Sequence, residues 1–196
     1  MTVRCRNHRL AFGRALCSTL LMAVWTLLVA LPARAGGSEG SILLGAVTRP
    51  EIEETMPDWL SEAMAAEPDL EAADRLLQAV IGAEVVIYLG TWCDDSRREL
   101  ARLWWALDSL GVDEPSQVSY VAVDRSMTEP ADQVAGVDLI RVPTIVVKRG
   151  GNELGRIVEE SPHGIEIDLL ALLTGEARGT ITASEDLLIE EADSQP

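Results

Sequence analysis

The chain has 196 residues, with 16 Lys and Arg against 32 Asp and Glu and a formal net charge of −16. A surface this acidic repels phosphate backbones and anionic lipid, which disfavours nucleic-acid binding; its plain reading is a solvated, soluble exterior. Hydrophobic residues make up 47% of the sequence, enough for one domain with a substantial core.

Residues 1–35 read as an export signal. Arg4, Arg6, Arg9 and Arg14 form a basic lead, Ala15–Leu31 is apolar or small, and Ala33-Arg34-Ala35 presents small residues at a cleavage site. The rival reading is an uncleaved membrane anchor within residues 10–31, at the lower limit of length for a span. Cys17 lies inside the apolar run rather than at its end, which argues against a lipid-anchor cysteine. Removing the signal takes five basic and no acidic residues, leaving 11 basic against 32 acidic and a net charge of −21. Cys5 and Cys17 leave with it, so Cys93 remains alone. A lone cysteine in an oxidising compartment is a reactive thiol, an intermolecular disulfide partner, or a buried inert group.

Residues 36–56 read as a lead-in, with a short strand within Ser41–Val47 that Thr48-Arg49-Pro50 stops. Two amphipathic helices are expected at Pro57–Ala66 and Asp69–Val80, with Pro68 near the start of the second. Val85–Leu89 is apolar, β-branched and aromatic, as a buried strand requires. Gly90-Thr91-Trp92-Cys93-Asp94-Asp95-Ser96 follows. Then comes a helical pattern at Leu100, Leu103, Trp104, Leu107 and Leu110, ended by Gly111. On its polar side the spacing predicts an Asp94–Arg98 pair at i, i+4. Val118–Val123 reads as a second strand, and Ser126–Gly136 as a polar connection with a short helix. Ile140–Val147 reads as a strand with Pro143 near its start, and Gly150-Gly151-Asn152 turns it into a returning strand, Glu153–Glu159. A last helix carries Ile165, Leu169, Leu170, Leu172 and Leu173 and stops at Gly175. Residues 177–196 are acidic and read as a tail. The expected architecture is α/β, with a central mixed sheet of about four to five strands flanked by helices, mainly within residues 57–176.

The strand–Thr91-Trp92-Cys93-x-x–helix junction, Val142-Pro143-Thr144 and the Gly150-Gly151 hairpin together resemble the thioredoxin superfamily from about Val80 to Gly175. Gly-Thr-Trp-Cys-x-Asp-Ser looks like an exported, periplasmic bacterial branch of it. The resemblance implies that Cys93 is the attacking cysteine, that Trp92 is the aromatic beside it, and that the Val142–Pro143 peptide is cis. It also implies that the backbone of Val142, with Thr144 beyond it, borders an extended substrate. Two positions depart from the family pattern. Ser96 stands where a resolving cysteine is usual, which excludes a complete dithiol cycle within this chain. Ile87 stands where family reductases often bury an acid.

At a strand–helix junction, free backbone N–H groups and the helix dipole favour a thiolate, and Ser96 is placed to donate a hydrogen bond to it. Asp94 and Asp95 oppose that effect and Arg97 and Arg98 offset them, which leaves the sign of the net shift open. The expected role is a monothiol (CxxS) protein exchanging with protein or small-molecule thiols and disulfides, resolved by an external thiol, with a Cys93-linked dimer as a further outcome. The alternative is a non-catalytic module that holds an extended peptide beside Trp92 and Pro143. No cofactor or metal is expected: Cys93, Asp94, Asp95 and His163 match no ligand spacing, and His163 reads as a loop residue. Ser96 has no histidine base nearby in sequence to make it a nucleophile.

Overall fold

The computed structural model describes residues 42–63 and 67–187. The segment read as an export signal, with Cys5 and Cys17, lies outside them, as does the end of the acidic tail. In chain order the elements are β1 (Gly45–Val47), α1 (Arg49–Thr55), α2 (Trp59–Ala63), α3 (Leu70–Ala79), β2 (Ala83–Leu89), α4 (Asp94–Leu110) and β3 (Val118–Ala122). Then follow α5 (Ala131–Val134), β4 (Thr144–Arg149), β5 (Asn152–Val158), α6 (Ile165–Thr174) and β6 (Gly179–Ile181). The sheet has six strands in the order β1-β3-β2-β4-β5-β6, more than the four to five expected. It is mixed: β2 pairs parallel with β3 and β5 with β6, while β1–β3, β2–β4 and β4–β5 are antiparallel.

Two of the six strands, the expected β1 and the unexpected β6, come from outside residues 57–176. β1 pairs with β3 at one edge of the sheet. At the other edge, Gly179–Ile181, read from sequence as tail, runs parallel to Gly155–Ile157. The approach is so close that a Cβ on Gly155 would sit 2.5 Å from the Gly179 carbonyl oxygen. Only a glycine admits a neighbouring backbone at that distance.

Alternation along the strands divides the core in two. Val85, Ile87, Leu89, Tyr120, Ala122, Ile145 and Val147 face a large cluster with Ile52, Trp59, Leu76, Leu100, Leu103, Trp104, Leu107 and the apolar side of α6. Val86, Tyr88, Val121, Val123 and Val146 face the other way, beneath Met127, Val134, Val137 and Leu139. Trp92 and Cys93 belong to this second, smaller cluster. Trp104 anchors the first. It stacks on Trp59, meets Tyr120 edge-on, and donates from Nε1 to the Tyr120 hydroxyl at 2.8 Å. That hydroxyl donates in turn to the Glu114 carboxylate. Trp105, next in sequence, is half-buried.

Gly111 ends α4 in the left-handed region at φ 66°. Gly150 and Gly151, at φ 58° and 80°, make the turn between β4 and β5, two successive positive values that side chains resist. No helix among the described residues is long and apolar enough to cross a membrane.

Candidate functional site

Cys93 is the N-cap of α4, with extended backbone (φ −104°, ψ 124°), and its own N–H is held by the Gly90 carbonyl at 2.9 Å. The residue is half-buried and its thiol is free. The Sγ donates to the Val142 carbonyl oxygen at 3.1 Å. The Val142–Pro143 peptide is cis, the isomer that the resemblance implied. The Pro143 carbonyl accepts the Glu159 N–H at 2.8 Å, which ties the turn before β4 to the end of β5. The structure therefore brings Cys93, Val142 and Pro143 together from segments about 50 residues apart.

Two of the other expected site residues, and one expected ion pair, have different surroundings from those the sequence suggested. Ser96 is fully buried, and its hydroxyl accepts the Gly90 N–H at 3.2 Å, so it holds the β2–α4 turn closed instead of reaching the thiol. Thr144 is buried and donates its hydroxyl to the Arg141 carbonyl at 2.7 Å, which removes its side chain from any substrate-facing surface. The predicted Asp94–Arg98 pair is replaced by two i, i+3 pairs, Asp94–Arg97 at 3.1 Å and Asp95–Arg98 at 2.8 Å. His163 lies in the loop before α6, exposed, with its ring Nδ1 2.9 Å from the buried Asp168 carboxylate.

Trp92 lies flat across Gly90, and its indole N–H donates to the Val123 carbonyl at 3.0 Å. A Cβ on Gly90 would come within 2.6 Å of the indole. Gly90→Ala is therefore expected to lift the ring, break the bond to Val123, and cost about 1–3 kcal/mol as an overpacked site. A lower urea midpoint with faster exchange of the Trp92 indole proton is the measurable result. An unchanged indole environment would show that the ring does not depend on Gly90.

On its far side Cys93 borders an open cleft of about 200 Å³. One wall is Thr91 to Asp94 with Arg97, and the other is the α1–α2 connection, Thr55 to Trp59. Nothing in Thr55-Met56-Pro57 marks this connection in the sequence as a wall of the cleft. Thr91 is buried, and its hydroxyl accepts the Leu43 N–H at 3.2 Å, so the chain just before β1 also leans on the site loop.

Two further residues were missed. Glu99 lies one turn beyond Ser96 on the buried face of α4, only 5% exposed. Burial pushes its carboxyl up to about 7, against the smaller lowering effects of Ser161, Arg98 and Arg102. Ser161 sits beside this carboxyl, yet neither Glu99 Oε2 nor Ser161 Oγ achieves hydrogen-bond geometry with any described partner. Helical phase was the available signal, since Glu99 shares its stripe with Ser96, Leu103 and Ala106. Arg125 is the second: its guanidinium lies 5.1 Å from the centre of the Trp92 ring. No pattern in the sequence marks that contact.

No family model and no curated protein matches the chain. Two solved structures resemble it in part. A protein of unknown function from Pseudomonas aeruginosa aligns at 17% identity over 65% of this chain and 86% of its own, with a TM-score of 0.45. An HIV epitope scaffold aligns at 18% identity over 65% and 87%, with a TM-score of 0.43.

Proposed function

We propose that this is an exported, thioredoxin-like monothiol protein in which Cys93 exchanges with disulfides. The observation that carries the reading is the Cys93 sulfur at a helix N-terminus, half-buried, 3.1 Å from the carbonyl that precedes a cis proline. The surrounding scaffold supports the thioredoxin-like assignment: a parallel β2–β3 pair, the site at the β2–α4 junction, and an antiparallel β4–β5 hairpin directly after Pro143.

In the reaction, the Cys93 thiolate attacks one sulfur of a disulfide, a new S–S bond forms, and the other sulfur departs as a thiolate. Ser96 has no sulfur with which to attack that mixed disulfide. Release therefore takes a second thiolate, from an external thiol, which attacks the Cys93 adduct and restores the free cysteine.

Incubation with glutathione disulfide followed by intact-mass measurement tests the reading. One glutathione adduct is expected per chain, mapped to Cys93, removed by added thiol, and absent in Cys93→Ser. If the wild-type protein forms no adduct, thiol exchange is wrong. If Cys93→Ser also captures the same peptides as wild type, the groove beside Trp92 and Pro143 acts as a non-catalytic binding module.

A further inference from the structure

We propose that Arg125 is a specificity-determining residue, selecting disulfides that carry an anionic group close to the reacting sulfur. The inference rests on the thiol reading of Cys93 and adds the chemical class of its partner.

The loop after β3 is built to present this arginine. The Asp124 carboxylate accepts the backbone N–H groups of Ser126, Thr128 and Glu129 at 3.2, 2.9 and 2.9 Å, as well as the Ser126 hydroxyl. Those bonds hold the carboxyl down at about 2 and direct its charge onto its own loop. Arg125, the next residue, is exposed and lies over the indole of Trp92, immediately beside Cys93 in sequence.

The other arginines around the site are matched by acids. Arg97 pairs with Asp94, Arg98 with Asp95, and Arg102 with Glu166. Among the described residues, no carboxylate lies within ion-pair distance of Arg125. An otherwise acidic chain thus leaves one uncompensated cation on the aromatic that flanks its thiol. An incoming carboxylate meets attraction there, and an incoming ammonium meets repulsion. Two unit charges about 8 Å apart at an effective dielectric of about 40–80 change a rate by about two- to sixfold.

Three small symmetrical disulfides separate charge from size: dithiodipropionate, hydroxyethyl disulfide and cystamine. With each, the Cys93 thiolate breaks the S–S bond, keeps one half as a mixed disulfide, and expels the other half as a thiolate that takes a proton from water. Cys93 is oxidised and the departing sulfur is reduced. The quantity read is the rate of adduct formation with the anionic reagent relative to the neutral one, at low salt. This ratio is expected to fall about two- to sixfold in Arg125→Gln, to survive in Arg125→Lys, and to shrink in wild type as salt rises. Arg75→Gln, an exposed change on α3 with the same effect on net charge, is expected to leave the ratio alone.

An unchanged ratio in Arg125→Gln, or an equal change in Arg75→Gln, overturns the role of Arg125 while leaving the exchange chemistry intact. If wild-type protein forms no Cys93 adduct with any of the three, the thiol reading fails, and this inference fails with it.

Discussion

Arg102→Met is expected to destabilise the fold by about 3–5 kcal/mol, the usual cost of leaving one member of a buried ion pair without its partner. The Glu166 carboxylate has no exposed surface. It accepts two bonds from Arg102 Nε at 3.0 and 3.1 Å, one from Arg102 Nη2 at 2.8 Å, and the Asp69 N–H at 2.6 Å. Through this one carboxylate α4, α6 and the N-cap of α3 are bound together. The loop before α6 is shaped to admit the guanidinium: a Cβ on Gly164 would lie 2.5 Å from Arg102 Nη2. Methionine keeps most of the length of the side chain but offers nothing to the carboxylate. Pairing the change with Glu166→Gln removes the stranded charge and is expected to restore part of the loss, so the two substitutions are non-additive. Urea titration of the two single variants and the double variant measures this. A loss below about 1 kcal/mol in Arg102→Met would mean that the helices are held by apolar packing alone.

The second large effect concerns pH. The carboxyl of Glu99 has a folded-state pKa of about 7 against an ordinary value of 4.5, because burial penalises its charged form. Between those two values the folded chain holds a proton that the unfolded chain has released. The associated stability is fully present below pH 4.5 and is lost as pH rises through 7. A shift of this size amounts to about 3 kcal/mol across the window. Glu99→Gln keeps the shape, cannot ionise, and is expected to remove its share of the slope and leave only that of other buried carboxyls such as Glu114, so that it is the more stable protein at pH 8. Its surroundings moderate the effect without reversing it: Arg98 and Arg102 on α4 lower the pKa, Glu160 raises it, and the Ser161 hydroxyl lowers it. Denaturation midpoints for both proteins at pH 5, 6, 7 and 8 provide the comparison. Parallel curves would show that another group sets the dependence.

How far the sequence disclosed this molecule depends on which signals were local. The strand before Cys93, the helix after it, the Gly150-Gly151 turn and the cap at Gly111 all follow from short patterns that the tertiary structure leaves in place. α1 was lost because Thr48-Arg49-Pro50 stops a strand, and the same three residues start a helix. Pro50 is tolerated in the first turn, and the Glu51 carboxylate accepts both the N–H and the hydroxyl of Thr48 at 2.8 Å. β6 was lost for a different reason: acidic composition outweighed three residues whose pairing depends on a glycine more than twenty positions away.

At the candidate site, the place of Cys93 at the strand–helix junction was legible, as was its neighbourhood with Pro143. The hydrogen bonds were not. Spacing alone does not say whether the Ser96 hydroxyl turns toward the thiol or toward Gly90 N–H, and the buried turn settled it in favour of the backbone donor. Arg125 over Trp92 is a contact between two loops, set by the bonds of Asp124, and no periodicity reports such a contact.

The bond from Cys93 to the Val142 carbonyl has a further implication. A thiol has a single proton, and here that proton fills the acceptor next to Pro143. When it leaves, the sulfur and the carbonyl oxygen become two electron-rich atoms in close approach, and attraction turns into repulsion. In the thiol exchange proposed above, the proton loss that makes Cys93 a nucleophile would also unlatch it, loosening the sulfur from the rim and leaving the carbonyl with an unused lone pair. On that proposal, readiness to attack and freedom to receive a backbone donor would be one event, governed by one proton.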